Sequence, residues 1–172
     1  MKKISAAYVA IALSLGISSP VWAAPPSYGV SIVDVRGGDD DPRPHQEMVI
    51  YNKSNGLTAF IVHSSPSEKI RDNVSNFINP MFSPDGRFLY FTTVTERGRK
   101  TAVQRLEMAS GDIEFFSSGR IVNIIKKGSL KSCVIIGQRV KNEGSSDFYN
   151  LEVVVNQNGD IVGSKQDLIA FM

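Results

Sequence analysis

The chain has 172 residues, 42% hydrophobic and 21% charged, which suits a single folded domain with a real core and excludes a charge-dominated disordered chain. Lys and Arg outnumber Asp and Glu by 19 to 17, but Lys2 and Lys3 belong to an N-terminal segment read below as removable. The remainder is balanced in charge, which argues against a general nucleic-acid or membrane-surface binder.

Lys2 and Lys3 precede a short apolar run over residues 4–17, and Val21-Trp22-Ala23 fits the small-x-small cleavage rule, with cutting before Ala24. The run is too short, and too soon followed by Pro20, for a membrane span. Residues 1–23 are therefore expected to be a signal peptide and residues 24–172 a single β domain. The expected location is the bacterial periplasm, with no membrane association after cleavage.

Beyond that point nearly every apolar segment is short, rich in β-branched or aromatic residues, and bounded by turn formers. The expected strands cover residues 30–35, 47–51, 57–62, 88–93, 102–108, 113–116, 121–125, 132–140, 151–155 and 161–164. Residues 67–77 and 165–171 are the stretches expected to hold a helical turn or two. Between the first two strands lies Gly37-Gly38-Asp39-Asp40-Asp41-Pro42-Arg43-Pro44-His45. Its carboxylates do not have the spacing of an EF-hand loop and Arg43 would oppose a cation. Asp39, Asp40, Asp41, Arg43 and His45 are read instead as a secondary contact loop.

Three hairpins share one design: an apolar strand, a polar turn closed by Gly56, Gly111 or Gly159, and a second strand. The glycines are 55 and 48 residues apart. Repeats of this size with several strands each are the mark of propeller blades, and closed propellers have at least four. The expected fold is mainly β, an incomplete (open) β-propeller-like array of about three antiparallel blade-like units. Open arrays leave sheet edges unpaired, and such edges invite partners, a homodimer through edge strands among them.

Ser83-Pro84-Asp85-Gly86-Arg87 is the sharpest turn signal: Pro presets φ, Asp bonds its own backbone and Gly supplies positive φ. The strand it launches leads to Thr93-Val94-Thr95-Glu96-Arg97-Gly98-Arg99-Lys100-Thr101, a hairpin tip with three cations around one glycine. Thr95, Glu96, Arg97, Gly98, Arg99 and Lys100 are the main candidates for binding a protein partner. Arg97 and Arg99 are two residues apart and suited to bidentate bonds with carboxylates. They lie in a basic stretch, residues 87–141, holding 11 Lys or Arg against four acids.

Catalytic chemistry is hard to find. Cys133 is the only cysteine, so no internal disulfide forms. It opens an apolar strand, where a buried structural thiol is expected, not a nucleophile paired with His63. His45 and His63 have no metal-ligand spacing, and HExxH, CxxC and GxSxG are absent. No enzyme activity, metal or cofactor is expected.

The run Phe82-Ser83-Pro84-Asp85-Gly86-Arg87, then Phe88-Leu89-Tyr90-Phe91, then Leu106 through Gly111-Asp112, resembles the TolB-type propeller repeat over about 35 residues. A second SPDG copy is missing, so the chain is not a full TolB protein. The layout as a whole is similar to periplasmic immunity proteins of type VI secretion, which neutralise peptidoglycan-cleaving amidase effectors. That resemblance implies a non-enzymatic inhibitor that occludes a cell-wall hydrolase, with the 95–100 loop entering its cleft. The alternative is a TolB-like envelope adaptor that binds a peptidoglycan-associated protein.

Overall fold

The computed structural model describes residues 27–36, 44–95, 98, 100–144 and 146–166. Eleven strands follow one another there: β1 (Tyr28–Val35), β2 (His45–Asn52), β3 (Thr58–His63), β4 (Ile78–Phe82), β5 (Phe88–Val94), β6 (Thr101–Glu107), β7 (Ile113–Ser118), β8 (Arg120–Ile124), β9 (Val134–Lys141), β10 (Phe148–Val155) and β11 (Ile161–Ser164). They form three antiparallel sheets, β1-β2-β3, β4-β5-β6-β7 and β8-β9-β10-β11, stacked as an open array.

The middle sheet is covered on both faces, and its sequence shows why. β5 reads Phe-Leu-Tyr-Phe-Thr-Thr-Val with Leu89 through Thr93 all buried, so it lacks the apolar-polar alternation of a half-wet strand. Leu89 and Phe91 face the first sheet, where they pack with Met48, Ile50, Val62, Phe77 and Leu106. Tyr90 faces the third, among Val103, Phe116, Ile121, Ile136 and Val153. Each large side chain taken from water contributes roughly 1.5–3 kcal/mol, so these two interfaces hold the sheets together.

All three predicted Gly-closed hairpins are present; the Gly56 and Gly111 turns share one hydrogen-bond pattern, four residues back, and the Gly159 turn is one residue tighter. Gly56 N–H donates to Asn52 O at 2.8 Å, Gly111 N–H to Glu107 O at 2.8 Å and Gly159 N–H to Asn156 O at 3.1 Å. The glycines have φ of 72°, 80° and 91°, the left-handed region these turns require. In the Ser83–Arg87 turn, the Ser83 hydroxyl donates to Asp85 Oδ1 (2.6 Å) and accepts the Phe88 N–H (3.0 Å), and Asp85 Oδ2 accepts from Arg87 Nε at 2.8 Å. Burial works against the Asp85 charge, but the bonds from Ser83 and Arg87 prevail and hold its carboxyl below the usual carboxylate range.

Two expectations need correcting. β4 was not expected, because Asn79-Pro80 interrupts it. Pro80 is tolerated since β4 is an edge strand with an irregularity between Ile78 and Met81. Residues 67–77 form no helix. Their backbone is spent on a bridge between Ser65 and Val74 and on the buried amide of Gln104, which donates to Asn73 O at 3.1 Å and Arg71 O at 3.3 Å. At the C-terminal end, helical geometry begins at Lys165 and Gln166, and residues 167–171 of that expectation lie outside the described residues.

Candidate functional site

The array has two ends. The Ser83–Arg87 turn and the three Gly-closed turns share one end, as the bonds from Arg87 to Gln157 (3.3 Å) and from Arg105 to the Gln157 carbonyl show. The other end gathers the β1–β2, β5–β6 and β9–β10 connections. There Gln46, at the start of β2, accepts the Phe77 N–H at 3.0 Å, and the neighbouring Asn76 donates to Val94 O, where β5 finishes, at 3.0 Å. Gln138 of β9 donates to Ser118 O, the end of β7, at 3.1 Å. The described ends of both loops singled out in the sequence, His45 and Thr95, thus belong to this one end although 50 residues separate them in the chain.

Of the main loop, Thr95, Gly98 and Lys100 are described. Thr95 is buried, and its N–H donates to Lys100 O at 3.1 Å while its carbonyl accepts from Gly98 at 2.7 Å. Thr95 therefore closes the hairpin instead of presenting a contact. Glu96, Arg97 and Arg99 lie outside the described residues, as do Asp39, Asp40, Asp41 and Arg43 of the second loop. His45 is described: it begins β2, half-buried, with Nε2 3.8 Å from Glu47 Oε1, and the same carboxylate oxygen meets His63 Nδ1 at 2.8 Å.

Lys100 lines a cleft of about 480 Å³ between the second and third sheets, together with Ile70, Thr101, Ser118, Gly119, Gln138, Arg139, Val140 and Lys141. Three cations line it and no acid does. Neither Lys100 nor Lys141 makes an ion pair with a described residue. Arg139 stacks on Phe148 at 4.4 Å. Phe148 and Tyr149 open β10 opposite Lys141 and Val140 and are about half exposed, at 51% and 48%. Phe148 shares the face of Arg139 and Lys141, whereas Tyr149, paired with Val140, lies on the other. An aromatic ring beside Arg, next to a cleft with no acid in its lining, has the composition of an interface centre.

The sequence placed Arg139 and Lys141 in the basic stretch without singling them out. The available signal was period two: Arg139 and Lys141 alternate along β9 and so share a face. Ile70 could not be assigned, since the Gln104 amide that fixes its loop is 34 residues away in sequence.

Cys133 is buried on the third sheet, and burial pushes its thiol up, the opposite of what a nucleophile needs. His63 sits on the first sheet, bound to Glu47. Among the described residues, no group of three or more His, Cys, Asp or Glu is placed to hold a metal ion. No helix among them is long and apolar enough to cross a membrane.

No family model and no curated protein sequence matches the chain. Among solved structures it is similar to the β-propeller domain of the Trilobed protease from Pyrococcus furiosus, which has an open velcro topology. The TM-score is 0.55 at 12% identity, over 80% of this chain and 39% of that one. It is also similar to the acylaminoacyl peptidase of Pyrococcus horikoshii, with TM-score 0.50 and 12% identity over 80% of this chain and 23% of that one. The chain thus spans well under half the length of either, and at this identity the likeness establishes a propeller-like fold alone.

Proposed function

We propose that the protein is a non-enzymatic binding protein of the bacterial periplasm. In this reading its loop end docks into the active-site cleft of a peptidoglycan-degrading amidase, as an immunity protein does, and excludes substrate. The observation that carries the proposal is the patch of Lys100, Arg139 and Lys141 beside exposed Phe148. Cations left without acidic partners favour a surface that carries carboxylates, and the aromatic ring supplies contact area at low entropic cost. The rigid three-sheet array holds this patch without needing chemistry of its own.

The proposal expects a peptidoglycan amidase to be encoded beside this gene, and the test uses that enzyme. Purified protein in stoichiometric excess is expected to suppress peptidoglycan hydrolysis, and Arg139→Ala with Phe148→Ala to weaken binding about tenfold or more. Hydrolysis that continues unchanged in excess protein refutes the inhibitor reading. Tight binding without inhibition points to the envelope adaptor instead.

A further inference from the structure

Among the described residues the first sheet is one strand short of the other two. The shared Gly-closed turn identifies β2–β3 with β6–β7 and β10–β11, so β1 occupies the place of β5 and β9. In the second and third sheets that strand is flanked on its other side by β4 or β8. Among the described residues, nothing flanks β1 there.

The vacant edge has a definite chemistry. Lys53 N–H donates to Ser27 O at 2.8 Å, and the β1–β2 register runs on from that pair without a shift. Gly29, Ser31, Val33 and Val35 therefore bond β2, while Tyr28, Val30, Ile32 and Asp34 turn their N–H and C=O groups to the open side. The devices that usually blunt an edge are missing: β1 has no Pro, no Lys and no bulge. The edge of β4, by contrast, is broken by Pro80 and its irregularity. Ile32 and Val33 are 37% and 44% exposed. The adjoining Pro25 and Pro26 have no N–H to give to a ladder.

We propose that this edge accepts a strand in trans, an extended segment of a protein partner lying antiparallel to β1 with apolar residues on its core-facing side. The fold itself shows twice what fills the equivalent place. β4 turns Met81 and Phe82 toward the core, and β8 does the same with Ile121 and Ile124. Backbone bonds to Val30, Ile32 and Asp34 supply the affinity, and the apolar side chains over Val30 and Ile32 supply selectivity. The inference does not depend on the basic end of the array.

The test is amide hydrogen exchange by NMR, on the protein with and without residues 1–23, alone and with a synthetic peptide copying residues 118–126. In both forms the amides of Val30, Ile32 and Asp34 are expected to exchange fast, and those of Ser31 and Val33 slowly. Saturating peptide should slow the first three by about tenfold or more, and the same peptide carrying Ile121→Pro should not. Ile32→Lys, at an exposed position that leaves the backbone intact, should weaken the peptide about fivefold. Protection of the three amides without peptide, by residues 1–23 or by a second copy as concentration rises, overturns the proposal. So does their unchanged exchange at saturating peptide.

Discussion

Arg105 braces the contact between the second and third sheets from the turn end. Its guanidinium binds Glu114 on its own sheet, with Nε 2.7 Å from Oε1, and the main-chain oxygen of Gln157 on the next. It also lies over the rings of Phe88 at 4.7 Å and Phe116 at 5.3 Å. Burial works against its charge, but Glu114 and the adjacent Tyr90 hydroxyl hold it protonated. Arg105→Ala removes a charged hydrogen bond across the sheets, worth about 1.5–3 kcal/mol. It also removes two ring contacts of about 0.5–1 kcal/mol each. The Glu114 carboxylate left behind is more than half exposed, so water takes it back at little cost. Allowing for overlap among these losses, the expected destabilisation is about 2–4 kcal/mol, or roughly 5–15 °C in Tm for a domain of this size. Glu114→Ala, which breaks only the exposed pair, should cost about 1 kcal/mol or less. Urea unfolding of both variants measures the difference. If Arg105→Ala falls within about 0.5 kcal/mol of the parent, or of Glu114→Ala, the sheets are not joined in this way.

Three further outcomes follow from single sites. Gly119, with φ of 113°, joins the second sheet to the third, and a Cβ there would stand 2.6 Å from the Gly137 carbonyl. Gly119→Ala should therefore cost about 2 kcal/mol or more by thermal melting, whereas Gly128→Ala, with open space around it, should cost less. The Asp85 carboxyl is held below its unfolded value, so its contribution to stability is complete above about pH 4 and is lost as pH falls below that; Asp85→Asn should be less stable at pH 7 and show a shallower fall in urea midpoint from pH 4 to 2. Buried Cys133 should react with a thiol reagent far more slowly in the native protein than in urea, and Cys133→Ala should leave amidase binding unchanged; rapid native labelling refutes its structural assignment.

The sequence made the fold legible wherever structure is local. The Gly56, Gly111 and Gly159 turns need only their own residues to form, and spacing them out revealed three units before any contact was known. β4 escaped because its evidence is not local: Asn79-Pro80 forbids a central strand, and only the neighbourhood of β5 shows that an edge was required. Residues 67–77, expected to hold a helical turn or two, form none for the same reason, since Gln104 of β6 settles their path. At the candidate site, the count of cations was legible and their grouping was not. Lys100 and Lys141 lie 41 residues apart and meet only because the second and third sheets stack.

The two ends of the array divide their polar groups unequally, and this bears on function. At the turn end Asp85, Arg87, Arg105 and Glu114 are bound to one another or to Gln157, so charge there is spent on holding sheets together. At the loop end, Lys100 and Lys141 are not committed to any described acid, and two aromatic side chains stand half in water. Folding gains little from either arrangement, because solvated lysines are neutral for stability and exposed rings forgo their burial. The proposed function gives both a use, since free energy would be recovered from them when another protein covers this end. Charge reversal at Lys100 and Lys141 should accordingly leave the unfolding midpoint almost unmoved while abolishing amidase binding. A loss of stability as large as that of Arg105→Ala would instead make these cations part of the brace.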